Sequence, residues 1–90
     1  MIDFDPAKDE INRRKHGISL GAADLGDWQQ AWIARDERRD YGEPRWYAYL
    51  PIAGRVFVVV YTERADVTRI ISLRRANPRE VRKYEQVRAR

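Results

Sequence analysis

Two apolar runs in the second half of the chain end in charge: Val58, Val59, Val60, Tyr61, Thr62, Glu63, Arg64, and then Arg69, Ile70, Ile71, Ser72, Leu73, Arg74, Arg75, Ala76. These are the residue types a phosphodiester demands. Guanidinium forks bind its oxygens, a phenol donates a hydrogen bond and a carboxylate moves a proton. Each apolar core reads as a strand with much of its surface buried. Where the strands leave the core, they are expected to hold Tyr61, Glu63, Arg64, Arg69, Arg74 and Arg75 within reach of one another.

Strand alternation narrows that set. Arg74 and Arg75 are adjacent, so a regular strand sends them to opposite faces and only one enters the site. Arg74, expected to share a face with Ser72 and Ile70, is the choice. The competing role for one of these arginines is a surface ion pair with Glu63, Glu80 or Glu85. Glu63 can serve as a general base if sparse solvation raises its pKa, with Glu43 as a second candidate. A structural ion pair with Arg64 is the commoner role for such a lone carboxylate. Lys15 and His16 fall at the end of the first expected helix, where the dipole favours cations and anions could be met. For His16, catalysis and capping of the last helical carbonyls stand as equal readings. Tyr61 and Tyr84 can donate to phosphate or stack on a base, although tyrosines on a strand and on an apolar helix stripe more often fill a core.

The composition restricts the chemistry further. The chain has 90 residues, no cysteine and one histidine. Disulfides, iron-sulfur clusters and histidine-based zinc sites are therefore not expected within one chain, nor is any calcium or magnesium loop evident, so catalysis is expected to need no metal and no cofactor. No stretch has the length of a membrane span or the pattern of a secretory signal, and a cytoplasmic setting is the default. Charge is unevenly distributed. Four basic residues face six acidic ones up to Asp27, three face four from Trp28 to Pro44, and eleven face four from Arg45 to Arg90. A basic excess confined to one half of the chain fits a polyanion partner, or else a surface kept charged for solubility.

The elements that must position these residues form one α+β domain spanning residues 1–90. Asp5 and Pro6 open a helix that runs to about His16 and stops at Gly17, and Ser19 caps a second, shorter helix through Leu25. Aromatic and β-branched residues then predict strands near Trp28 to Glu37, Arg45 to Ile52, Arg55 to Thr62 and Val67 to Arg74. The short connections favour an antiparallel four-stranded meander. Asn77, Pro78 and Glu80 start a final helix with a cap, a first-turn proline and a capping-box glutamate. Trp28, Trp32 and Trp46 are expected to fill the core of this small sheet; base stacking or a partner interface is the alternative.

Phe4, Asp5, Pro6 and Lys8, then Asn12, Lys15 to Ser19, Gly42, Glu43, Arg45, Val59 to Arg64, Arg69 to Ser72, Arg74 to Ala76, Glu80, Tyr84 and Glu85 follow in order the pattern of a known family. The chain resembles the BrnT toxins of bacterial type II toxin-antitoxin modules, a branch of the RelE-like ribonuclease toxins. It departs from them in the tryptophan-rich segment from Leu25 to Arg39 and at Leu73. The resemblance implies a RelE-like fold and a growth-arresting endoribonuclease. It also implies a BrnA-like ribbon-helix-helix antitoxin that links the toxin to DNA only indirectly, with a homodimer or a 2:2 complex as the assembly.

Without a metal, the RNA 2'-hydroxyl is the natural nucleophile, which disfavours DNA as substrate and predicts cyclic phosphate ends. Arg64, Arg74, Glu63, Tyr61 and His16 are the catalytic candidates; Lys15, Arg45, Arg69, Arg75, Glu43 and Tyr84 are the further RNA contacts. The rival functions are a non-catalytic nucleic-acid-binding module and a decayed toxin that serves only as co-repressor.

Overall fold

A computed structural model describes residues 2–89. Helix α1 spans Pro6–His16, and its start follows from Asp5, whose side chain accepts from the Ala7 amide at 2.9 Å, with Pro6 at the first helical position. Gly17 closes it in the left-handed conformation, at φ 73°, with its amide donating to the Arg13 carbonyl. Helix α2 spans Pro78–Arg88 and opens on a complete capping box, in which Asn77 and Glu80 satisfy each other's backbone amides.

Four antiparallel neighbours form the body of the sheet: β2 (Trp32–Arg35), β3 (Trp46–Ile52), β4 (Arg55–Arg64) and β5 (Val67–Arg75). The expected four-stranded antiparallel sheet is corrected by a fifth strand, β1 (Ile2–Asp3), which pairs parallel with β5 at Thr68 and Arg69, so the sheet is mixed and runs β1-β5-β4-β3-β2. The turn between β3 and β4 has Ala53 and Gly54 at φ 50° and 80°, the two positive values that match the twist of a tight hairpin.

Two further expectations change. The second N-terminal helix is a six-residue 3-10 segment, Leu20–Leu25, and a shorter 3-10 turn, Trp28–Gln30, occupies the start of the first expected strand. Both follow from tertiary demands. Asp9 on α1 accepts from the Leu20 amide at 2.7 Å and the Ser19 hydroxyl at 2.9 Å, which fixes the first turn against the helix. Trp28 donates its indole N–H to the Ala23 carbonyl, so its ring turns inward instead of continuing a strand.

The core lies on one face of the sheet, beneath α1 and the 3-10 segments. Leu20, Ala48, Leu50, Val59 and Leu73 are completely buried there, with Ile70 and Tyr61 beside them. Registration between β4 and β5 slips by one residue: Val60 faces Ser72 but Tyr61 faces Ile70, leaving Ile71 as a bulge. Ile70 and Leu73 therefore both enter the core, and Ser72 and Arg74 face the other way. The expectation that Ile70 shares a face with Arg74 fails for this reason alone.

Candidate functional site

The face of the sheet away from the core carries a cleft of about 560 Å³, lined by Tyr47, Tyr49, Val58, Val60, Ser72 and Arg74, with Arg35 to Arg38 on one wall and Glu80 on the other. Alternation builds its floor. Ala48 and Leu50 point into the core, so Tyr47 and Tyr49 point into the cleft, where they and Trp32 form a run of rings with centroids 5.2 to 5.9 Å apart. Burial, followed by the charge of Glu80, raises the Tyr49 pKa, so its phenol stays a hydrogen-bond donor at neutral pH.

Arg74 projects into this cleft and is held bidentately by Glu80, with both contacts at 2.8 Å. Arg38, gripped through two 2.8 Å contacts by the buried Asp36, stands near enough that its charge opposes that of Arg74. Ser72 joins the cleft to a smaller cavity between α1 and β5, where Lys8, Lys15 and His16 gather. Burial lowers the His16 pKa, and the charges of Lys15 and Arg74 lower it further, so the imidazole is neutral at pH 7. Gly17 provides the backbone cap of α1, which leaves the imidazole to the cavity.

The expectation that Tyr61, Glu63, Arg64, Arg69, Arg74 and Arg75 stand within reach of one another is corrected by the register. Arg74 pairs with Val58, whereas Arg64 pairs with Val67, six residues further along β4. At about 3.3 Å per residue the two arginines stand roughly 20 Å apart. Arg64 instead meets Glu43, at 2.9 Å, and Arg69 meets Asp3. Arg45, its guanidinium 4.0 Å from the Tyr41 ring, adds its charge to theirs at Glu43. This second cluster shares the open face with Arg74 but sits at its far end. Hydrogen bonding from Arg64 lowers the Glu43 pKa, the opposite of what a general base requires.

Tyr61 and Glu63 face the other way. Tyr61 is buried edge-on against Trp28, with ring centroids 5.4 Å apart, and burial pushes its pKa up to about 12. Glu63 lies at an apolar hollow with Ile33, Trp46 and Tyr61, and accepts from the Thr68 hydroxyl at 3.1 Å. Arg75 is exposed opposite Phe57, on the side of the sheet away from Arg74. Tyr84 donates to the Gln30 carbonyl at 2.7 Å, and so ties α2 to the body. Trp28 and Trp46 pack with the core as expected, whereas Trp32 belongs to the open face.

Sequence reasoning overlooked Tyr47, Tyr49, Asp36 and Arg38 as parts of a site. The tyrosines carried a usable signal, since they alternate with Ala48 and Leu50 along one strand. Asp36 and Arg38 carried none, because they lie in an irregular loop. Among the described residues, no group of three or more His, Asp or Glu side chains could hold a metal ion, and no helix is long and apolar enough to cross a membrane.

The fold and the cleft define a small α+β protein with a basic, tyrosine-walled face, a class suited to polyanions. Residues 4–80 match the family model described as the ribonuclease toxin, BrnT, of type II toxin-antitoxin systems, and the chain belongs to that family. Membership brings a ribonuclease activity, an RNA substrate and an antitoxin partner. No curated protein matches the chain.

Proposed function

We propose that the chain is an endoribonuclease that cuts RNA at the Arg74 cleft through the substrate's own 2'-hydroxyl, with no metal taking part. The observation that carries this reading is the meeting of Arg74, Tyr49 and a neutral His16 around Ser72. Arg74 offers a fork to two phosphate oxygens, and its charge stabilises the dianionic phosphorane. Neutral His16 takes the proton from the 2'-hydroxyl as that oxygen attacks phosphorus; the P–O5' bond then breaks, and the imidazolium so formed returns the proton, through water, to the departing 5'-oxygen, leaving a 2',3'-cyclic phosphate. Tyr49, kept protonated, donates a hydrogen bond to the same phosphate, while Tyr47 offers a ring to a neighbouring base.

Arg45, Arg64 and Arg69 then hold phosphates further along the strand, with Lys15 and Lys8 on the near side. The RelE-like relationship and a ribbon-helix-helix antitoxin in a 2:2 complex belong to the same reading. An antitoxin that covers the open face would silence both arginine clusters at once.

The test uses a short RNA and its copy with one 2'-deoxy position. The parent RNA is expected to yield a 2',3'-cyclic phosphate end, the substituted copy to resist at that position, and Arg74→Ala to lose cleavage while remaining folded. Tight RNA binding without cleavage by the unaltered chain, with and without ribosomes, would instead establish a non-catalytic binding module.

A further inference from the structure

Glu80 places its two carboxylate oxygens on the two terminal nitrogens of Arg74, each at 2.8 Å, in the parallel fork geometry that a phosphate also takes. The fork is occupied by the protein itself. Glu80 lies in the first turn of α2, and no residue of α2 is fully buried. Besides the Arg74 pair, that helix is fastened by the hydrogen bond from Tyr84 to the Gln30 carbonyl and by Lys83 lying 4.5 Å from the centre of the Trp32 ring. All three attachments are polar or cationic, those of Glu80 and Lys83 lie on the aromatic and basic face of the sheet, and the apolar packing of the helix is limited to the half-buried Val81, Tyr84 and Val87. An element bound this way detaches at far lower cost than one seated in a core.

We propose that Glu80 is a positioning residue that mimics phosphate, and that α2 is a latch which RNA must displace to reach Arg74. This rests on the reading that Arg74 binds the RNA phosphate. An incoming phosphate takes over the fork, the carboxylate is released, and the loss of that tether uncovers the rings of Trp32, Tyr47 and Tyr49 for a base. The device keeps Arg74 ordered in the free protein and sets a threshold that weak anions do not cross.

Binding of an uncleavable, fully 2'-deoxy oligonucleotide, followed by fluorescence anisotropy, tests the latch. Glu80→Gln retains a capping acceptor for the Asn77 amide but loses the charge. Tyr84→Phe loosens the second tether without touching Arg74. Each is expected to tighten binding roughly two- to fivefold, the worth of a partly exposed ion pair or hydrogen bond, and to lower KM for RNA more than it changes kcat. Addition of the oligonucleotide should strip hydrogen-exchange protection from α2 amides. Folded Glu80→Gln and Tyr84→Phe proteins that bind no tighter than the parent, while Arg74→Ala weakens binding, would overturn the latch alone. If Glu80→Gln does not fold, Tyr84→Phe decides. Unchanged binding by Arg74→Ala would remove the phosphate role of Arg74, and the latch with it.

Discussion

The side chain of Asn12 closes on both backbone groups of Leu73, donating to its carbonyl at 2.8 Å and accepting from its amide at 3.1 Å. Strand β1 covers only the Thr68 and Arg69 stretch of the outer edge of β5. Beyond it, the Asn12 amide acts as one residue of a missing strand, and it also donates to the Ile18 carbonyl at 2.9 Å. The pairing pins the end of α1 beside Ser72, and so brings Lys15 and His16 to the smaller cavity that Ser72 shares with the cleft.

Asn12→Leu keeps much of the volume and leaves three backbone groups without their partner. A loss of about 3 kcal/mol is expected, since an orphaned buried group costs about 1–3 kcal/mol and water reaches some of the three. For a domain of this size that corresponds to a melting temperature lower by more than about 10 °C. Asn12→Asp retains an acceptor for the Leu73 amide only and should fall between the two. Urea unfolding of the three proteins checks the order; a stability for Asn12→Leu equal to the parent would show that the edge does not need its cap.

The sequence announced some of these relationships and concealed others for identifiable reasons. Both α-helices carry their own punctuation in Asp5-Pro6, Gly17 and Asn77-Pro78, and long β-branched runs mark β4 and β5. Strand β1 has two residues, too few for any periodicity. The bulge at Ile71 leaves no compositional trace, yet it determines which face Ile70 and Arg69 take. The distance between Arg64 and Arg74 is a property of hairpin register, and the two run-ends look equivalent until the pairing is known. Glu80 was visible both as a cap and as one possible partner for an arginine; only the structure shows it doing both at once, capping at Asn77 and holding Arg74.

Tyr61 provides a direct contrast between the two views. Buried against Trp28, with its phenol pushed up to about 12 by burial and then by Glu63, it is poorly suited to proton transfer near neutrality. Tyr61→Phe is expected to cleave RNA within about twofold of the parent, whereas Tyr61→Ala should lose about 3 kcal/mol of stability through the cavity it leaves. Initial cleavage rates and thermal melts measure the two effects. Loss of cleavage in a fully folded Tyr61→Phe protein would return the phenol to the chemistry.

His16 makes a pH-dependent prediction. Burial, Lys15 and Arg74 all disfavour the imidazolium, so the folded chain holds that proton less readily than the unfolded chain does. Between the ordinary value of 6.5 and the lower folded value, the unfolded state binds more proton. Stability therefore falls as pH drops through that window, and below the folded value the whole penalty is present. His16→Asn should flatten this part of the stability profile, read as urea midpoints from pH 5 to 8. In cleavage, the acidic limb of kcat/KM should lie below 6.5 and disappear, together with most of the rate, in the same variant.

Arg64 and Arg74 should fail in different ways. Arg74 lies in the cleft with Tyr49 and near His16, so Arg74→Ala is expected to lower kcat by about 10²–10³, the usual cost of removing a group that stabilises charge in the transition state. Arg64 sits in the outer cluster with Glu43, and its expected contact is a phosphate of the same strand some nucleotides away. Arg64→Ala should therefore raise KM, leave kcat within about twofold, and reduce the salt dependence of binding by about 0.7 in the log–log slope, the contribution of one single-strand phosphate. With roughly 20 Å between them and no shared partner, their effects on kcat/KM should add in the double variant to within about 0.5 kcal/mol. A strongly non-additive pair, or a kcat lost to both single substitutions alike, would mean that the two arginines converge on one phosphate, which the β4–β5 register forbids without rearrangement of the sheet.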